Sequence, residues 1–174
     1  MKIEQGRIVI TASFAGRVAI DNMGAYSMSK HAVIAFSDAL RREICKFGVK
    51  VITIEPGAFK TELTSDQLYL KTLEKTWNQS EESVKKSYGN SYYEKCKQLT
   101  KTKNLLSSSN LDIVVGDMTD AVHNTDPLTA YCPNEGLLMK IFLHIMLYLP
   151  NDCIDYVSHL VVPFRPEGSQ MSNI

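Results

Sequence analysis

An α/β fold built on a doubly wound parallel sheet is predicted by three features that follow one another along the chain. Ile8–Ala12 is an apolar, β-branched run, residues from about Ala25 to Phe47 carry a helical period, and Val49–Ile54 is a second β-rich run closed by Pro56-Gly57. The first run does not alternate polar with apolar residues, which predicts a strand buried on both faces. In the helix, Val33, Phe36, Leu40, Ile44 and Phe47 step by three or four and predict a single apolar stripe, with Arg41, Arg42, Glu43 and Lys46 largely off it. Gly48 stands where a helix takes a left-handed terminating residue.

Past Thr61 the character of the chain changes. A polar helical region covers about Ser65–Thr100, and Lys101–Asn110 is a Lys- and Ser-rich loop. Leu111, Val114, Val115, Met118 and Val122 mark an amphipathic helix, Leu128–Tyr131 a third strand, and Gly136–Leu149 a very apolar helix. The expected organisation is a sheet-forming part, residues 1–64, and a helical extension, residues 65–174, that returns to the sheet near 128–131.

Length and composition narrow the function classes. With 174 residues and 44% hydrophobic content the chain can bury a sizeable core, and its 19 basic and 19 acidic residues cancel. A balanced chain lacks the long-range field that gathers phosphates, so nucleic acid is set aside as a partner. Cys45, Cys96, Cys132 and Cys153 form no C-x-x-C pair, and no histidine stands at zinc-finger spacing. Ordinary thiols in a reducing compartment are expected, and no metal site. The first six residues carry no charged-then-apolar leader. Opening almost directly on an interior strand, the chain is expected to leave that strand with an unpaired edge.

Tyr26 and Lys30 stand four apart on the predicted helix, so both side chains leave the same face about one turn apart. An ammonium so placed draws the phenol, ordinarily near pKa about 10, towards working pH, as a tyrosine general acid/base requires. The spacing by itself is equally that of a solvated helix face, and its second occurrence, Tyr93 and Lys97 in a polar stretch, is assigned to such a face. Ser13 raises the value of the first pair. It lies at the end of the first strand, where an open α/β sheet places its site, and the Tyr26 helix starts from the same edge. The second strand ends there too, at Glu55-Pro56-Gly57-Ala58-Phe59-Lys60-Thr61, a turn that leaves backbone and a Thr hydroxyl for a polar ligand.

Taken together, Gly6-Arg7-Ile8-Val9-Ile10-Thr11-Ala12-Ser13, Tyr26-Ser27-Met28-Ser29-Lys30, Phe36-Ser37-Asp38-Ala39-Leu40-Arg41-Arg42-Glu43 and Pro56-Gly57-Ala58-Phe59-Lys60-Thr61 resemble the second half of a short-chain dehydrogenase/reductase. The third and fourth motifs, with Trp77 and Val84-Lys85-Lys86-Ser87-Tyr88-Gly89, are similar to the retinol and hydroxysteroid dehydrogenase branch, of which the D-3-hydroxybutyrate dehydrogenases are close relatives. The resemblance implies the carboxyl-terminal half of a Rossmann-like fold with a helical substrate-binding extension, and NAD or NADP as cofactor. It implies Tyr26 as general acid/base, Ser13 polarising the substrate oxygen, and Lys30 acting on Tyr26 and on the nicotinamide ribose. Pro56 and Gly57 would pack beside the nicotinamide ring and Thr61 would meet its carboxamide. Ile10 and Ala12 depart from the family where Asn and Ser are frequent, and the Gly-rich phosphate-binding turn is absent from this sequence.

The substrate the resemblance implies is a lipophilic alcohol or ketone such as a retinoid or steroid, in an endoplasmic-reticulum or mitochondrial setting. Three other readings stand beside it: a D-3-hydroxy acid dehydrogenase, a catalytically silent product that pairs with a full-length subunit through the helix 25–47, and an incomplete gene product. The apolar run 137–149 is shorter than the roughly 20 residues of a spanning helix. It is expected either to cap the substrate pocket or to lie on a membrane surface.

Overall fold

A computed structural model describes residues 6–105, 107–162 and 164–169. Three strands form a parallel sheet in the order β1-β2-β3: β1 is Arg7–Thr11, β2 Lys50–Ile54 and β3 Ala130–Tyr131. The register pairs Arg7 with Lys50 and Thr11 with Ile54, then Thr53 with Ala130 and Ile54 with Tyr131. The helices are α1 (Gly24–Ile44), α2 (Asp66–Gln79), α3 (Glu82–Tyr88), α4 (Asn90–Leu105), α5 (Asp112–His123), α6 (Leu137–Met146) and α7 (Asn151–Val161). The α/β class and the parallel βαβ unit expected from the sequence are therefore present.

The chain divides into two compact units, one holding the residues up to Ala58 together with Asn110–Tyr156, the other Phe59–Ser109 and the chain from Val157. In the first, β2 is the central strand and its β-branched residues are enclosed, Ile52 and Ile54 being 1% and 0% exposed. Ala121 and Tyr131 complete their core, and Val9, Val114 and Met118 pack against it. Burying each isoleucine contributes about 1.5–3 kcal/mol. Arg7 at the start of β1 donates to the Ala121 carbonyl at 3.0 Å, satisfying one of the free carbonyls in the last turn of α5. The stripe expected on α5 is thus narrower than its sequence suggests, for Leu111, Val115 and Val122 are exposed.

Two expectations for the βαβ unit are corrected. Among the described residues β1 has the unpaired edge that was expected, but it is not buried on both faces, for Ile8 and Thr11 are exposed. On α1 only part of the predicted stripe faces the core: Val33, Leu40 and Ile44 are half-buried, but Phe36 is 60% exposed and Phe47, just beyond the helix, is exposed too, while Ser27, Ile34 and Ser37 are buried. Small hydroxyls can take the close face because each satisfies itself locally. Ser37 donates to the Val33 carbonyl at 2.7 Å and Ser27 Oγ accepts from the Ile20 amide at 3.2 Å. Gly48, at φ 72°, closes the end of this segment as expected.

The second unit is helical. The region expected as one polar helical stretch is three helices, and α4 continues to Leu105 into the segment expected as a loop. Tyr93 is not on a solvated face. It is buried, its ring stacked on Trp77 at 4.7 Å, and Lys97 Nζ lies 4.2 Å from the centre of that ring. The pair belongs to packing, with the cation over the aromatic face. The segment Glu167-Gly168 is stitched back to Ser87 and Tyr88 by two backbone hydrogen bonds of 2.8 and 3.1 Å.

Candidate active site

The carboxyl ends of the strands bring most of the predicted site residues to one edge of the sheet. Beyond β1, the Ala12 amide still reaches the Ile54 carbonyl at 2.8 Å, and Ser13 then caps the 3-10 turn Phe14–Gly16 by accepting from the Ala15 amide at 3.2 Å. The Ser13 hydroxyl points at the Pro56 carbonyl 3.5 Å away, and the Phe14 amide donates to the same carbonyl at 3.0 Å. Gly16 lets this loop press against α1. A Cβ there would come within 2.6 Å of the Lys30 carbonyl oxygen and 2.6 Å of Ile34 Cδ1.

That contact sits at the turn of α1 that carries Lys30. Lys30 Nζ donates to the carbonyl of Thr11, the last residue of β1, at 3.4 Å, and lies 5.7 Å from the centre of the Tyr26 ring. Tyr26 is half-buried. Ser13, Tyr26 and Lys30 therefore share an edge, although among the described residues no hydrogen bond joins the Tyr26 hydroxyl to Ser13. Pro56 and Gly57 complete that edge. The Gly57 amide donates to the Pro133 carbonyl at 3.2 Å, and a Cβ on Gly57 would overlap Asn134 Oδ1 at 1.8 Å. Thr61 lies in the second unit, its hydroxyl 3.2 Å from that of Thr64.

Sequence reasoning passed over the most buried charge in the region. Glu55, between Ile54 and Pro56, is fully enclosed, and Arg17 grips both of its oxygens at 2.7 and 2.9 Å. The Glu55 hydrogen bond raises the Arg17 guanidinium further above its ordinary value, against the desolvation that lowers it. Partial burial, then the Glu55 charge, pushes the Cys132 thiol up. An acidic residue closing an apolar strand was the available signal.

A cavity of about 580 Å³ adjoins this edge, with Phe14, Arg17, Cys132 and Asn134 on one side and α6 on the other. α6 turns Lys140, Ile141 and His144 towards it and leaves Leu137 and Leu138 exposed. Burial raises the Asp117 carboxyl, while Lys140 opposes that shift.

Comparison with known proteins shows what the chain is similar to. The model of the short chain dehydrogenase family matches residues 1–69. Over these residues the chain is similar to the short-chain dehydrogenases. The mouse 17-beta-hydroxysteroid dehydrogenase type 6 is 41% identical over 157 residues, which cover 90% of this chain and 49% of that protein. Human retinol dehydrogenase 16 is 36% identical over 159 residues, 91% of this chain and 49% of the relative. The chain thus spans about half the length of the relatives it matches, and both are dehydrogenases by name. Among solved structures, a short-chain dehydrogenase/reductase from Burkholderia phymatum in complex with NAD superposes with a TM-score of 0.58 at 17% identity, covering 98% of this chain and 53% of that one. A short-chain dehydrogenase from Streptomyces avermitilis gives 0.55 at 22% identity, covering 91% and 51%. These two speak for the fold.

Proposed function

We propose that this short-chain dehydrogenase chain supplies the substrate-handling part of an NAD(P)-linked oxidoreductase that interconverts an alcohol and a carbonyl on a lipophilic molecule such as a retinoid or steroid. The observation that carries this reading is the Lys30 ammonium at the Thr11 carbonyl, with Tyr26 one helical turn before it and Ser13 two residues beyond Thr11.

The residues fit the nicotinamide end of the cofactor. Lys30 has one long bond to Thr11 and further N–H donors for ribose hydroxyls, and Pro56-Gly57 offers a flat surface without side-chain bulk at the same edge. A nicotinamide held by these residues would supply the hydride chemistry. The Tyr26 hydroxyl moves the proton on the substrate oxygen, Ser13 holds that oxygen, and Lys30 holds the ribose and keeps a positive charge beside the tyrosine. Thr61 is assigned to the carboxamide on family resemblance.

The likeness to hydroxysteroid and retinol dehydrogenases favours a neutral lipophile over a D-3-hydroxy acid. Of the cations lining the cavity, Arg17 is engaged by Glu55, and Lys140 acts electrostatically on Asp117. The apolar lining from α6 suits a hydrocarbon body, and its exposed face suits a membrane surface from which such a molecule would arrive. No helix among the described residues is long and apolar enough to cross a membrane. Met28 and Phe36, exposed on α1, suit a dimer contact with a like subunit.

The test joins the chain to the amino-terminal half of the mouse type 6 enzyme and follows NAD(P)-linked oxidation of retinol, hydroxysteroids and 3-hydroxybutyrate. Turnover of the first two is expected, and Tyr26→Phe should abolish it with cofactor binding nearly intact. The chain by itself should turn over none of the three, since positioning of the reactants supplies about 7–11 kcal/mol of barrier reduction. An active Tyr26→Phe fusion would refute the mechanism.

A further inference from the structure

We propose that Arg17 and Glu55 are positioning residues for this site: their ion pair fixes the loop that carries Ser13 against the Pro56-Gly57 turn. The inference rests on the proposed role of Ser13.

The Glu55 side chain is only 2% exposed, and its partners come from all three strand ends. Oε1 accepts from Arg17 Nη2 at 2.7 Å and from the Thr53 hydroxyl at 2.7 Å, and Oε2 accepts from Arg17 Nε at 2.9 Å. The Cys132 thiol, just past β3, lies 3.9 Å from Oε2. One carboxylate therefore ties together the loop after β1, the end of β2 and the end of β3.

Such an arrangement is a poor choice for stability alone. Desolvating two charges offsets much of their attraction, and well-packed apolar side chains would hold the two loops with as much energy. What apolar contacts lack is direction. The planar guanidinium, bound through Nε and Nη2 to two oxygens, fixes both the distance and the angle between residues 17 and 55. Ser13 needs that direction, because its own bond to Pro56 is long at 3.5 Å. Backbone bonds hold the loop as well, Ala12 to Ile54 at 2.8 Å, Phe14 to Pro56 at 3.0 Å and the Arg17 amide to the Phe14 carbonyl at 2.8 Å, but only the ion pair joins the far end of the loop to the end of β2.

The test uses the fusion described above, with Ser13→Ala, Arg17→Met, Arg17→Lys, Glu55→Gln and the Ser13→Ala/Arg17→Met double variant, each checked for thermal stability and cofactor affinity. Displacing a reacting group by about 1 Å costs about 100-fold in rate. Arg17→Met should lower kcat by about that factor with little change in KM for the alcohol or in cofactor affinity. Adding Arg17→Met to Ser13→Ala should cost little more, because the clamp acts through Ser13; a purely structural role would multiply the two losses. Arg17→Lys keeps the charge without the fork and should remain impaired. Should Arg17→Met fail to fold, Glu55→Gln and Arg17→Lys decide by the same kcat readout. Unchanged kcat in folded variants, or fully multiplicative losses, would overturn the clamp while leaving the proposed function standing. Full activity in Ser13→Ala would overturn both.

Discussion

Lys30 ties α1 to the end of β1 through the Thr11 carbonyl, 3.4 Å from its ammonium, so the residue expected to bind the cofactor ribose is also a fastener of the sheet edge. The bond is long and open to solvent, and its share of stability is small. Lys30→Met, which keeps the stem and removes the charge, should cost under about 1 kcal/mol in urea unfolding of the chain. In the fusion it should weaken nicotinamide cofactor binding about tenfold or more, the scale of one hydrogen bond to a charged group. Calorimetric titration checks the second figure, and a large stability loss with unchanged affinity would assign Lys30 to the fold alone.

Gly57 and Asn134 occupy space that only one of them can enlarge. A Cβ at position 57 would stand 1.8 Å from Asn134 Oδ1, while Asn134 Nδ2 is held by the Cys132 carbonyl at 3.0 Å. Gly57→Ala should cost about 1–3 kcal/mol, as overpacking does. Combining it with Asn134→Ala should recover part of that loss, so the measured double-mutant cycle should be strongly non-additive. Additive losses would mean the two side chains do not meet.

Although Cys132 as a residue is exposed, desolvation around its sulfur, followed by the Glu55 charge, raises the thiol, and its reactivity should show this. A raised pKa means less thiolate at a given pH. Alkylation of Cys132 by iodoacetamide should therefore trail that of a free cysteine around pH 8 and rise only at more alkaline pH. Glu55→Gln removes the second cause and should move that profile towards lower pH. Peptide mass spectrometry of timed samples reads both.

Trp77 is the sole tryptophan, so its emission reports on the helical unit alone. Its ring is stacked on Tyr93 at 4.7 Å with an interplanar angle of 8°. Tyr93→Ala should shift the emission to the red as water reaches the exposed indole face, and should cost the unit about 3–5 kcal/mol by analogy with other aromatic truncations in cores. An unchanged spectrum would deny the stack.

The βαβ core was legible because β-branched runs and a terminating glycine are local signals, and Val51–Ile54 indeed lies within the central strand. The face of α1 was not, since a helix that approaches a sheet closely buries its smallest residues. Ser27 and Ser37 face inward beside Ile34 while Phe36 looks out, which shifts the buried face off the predicted stripe. Tyr93 misled for a related reason: the polar sequence of α4 conceals one aromatic contact to Trp77 on another helix. Ser13, Tyr26 and Lys30 were singled out through strand ends and helical spacing, and they lie at one edge of the sheet. Arg17 and Glu55, 38 positions apart with no shared period, become partners only when the chain folds.

The closeness of the Ser13 loop to α1 also limits how this part of the sequence can change over time. At Gly16 the nearest atoms to an added carbon are the Lys30 carbonyl and Ile34, and the former belongs to a helix backbone that cannot step aside. Substitution there is governed by volume, before charge or polarity is considered. A saturation library selected for folding should return position 16 almost entirely as glycine, whereas Met28, exposed on α1, should accept many replacements.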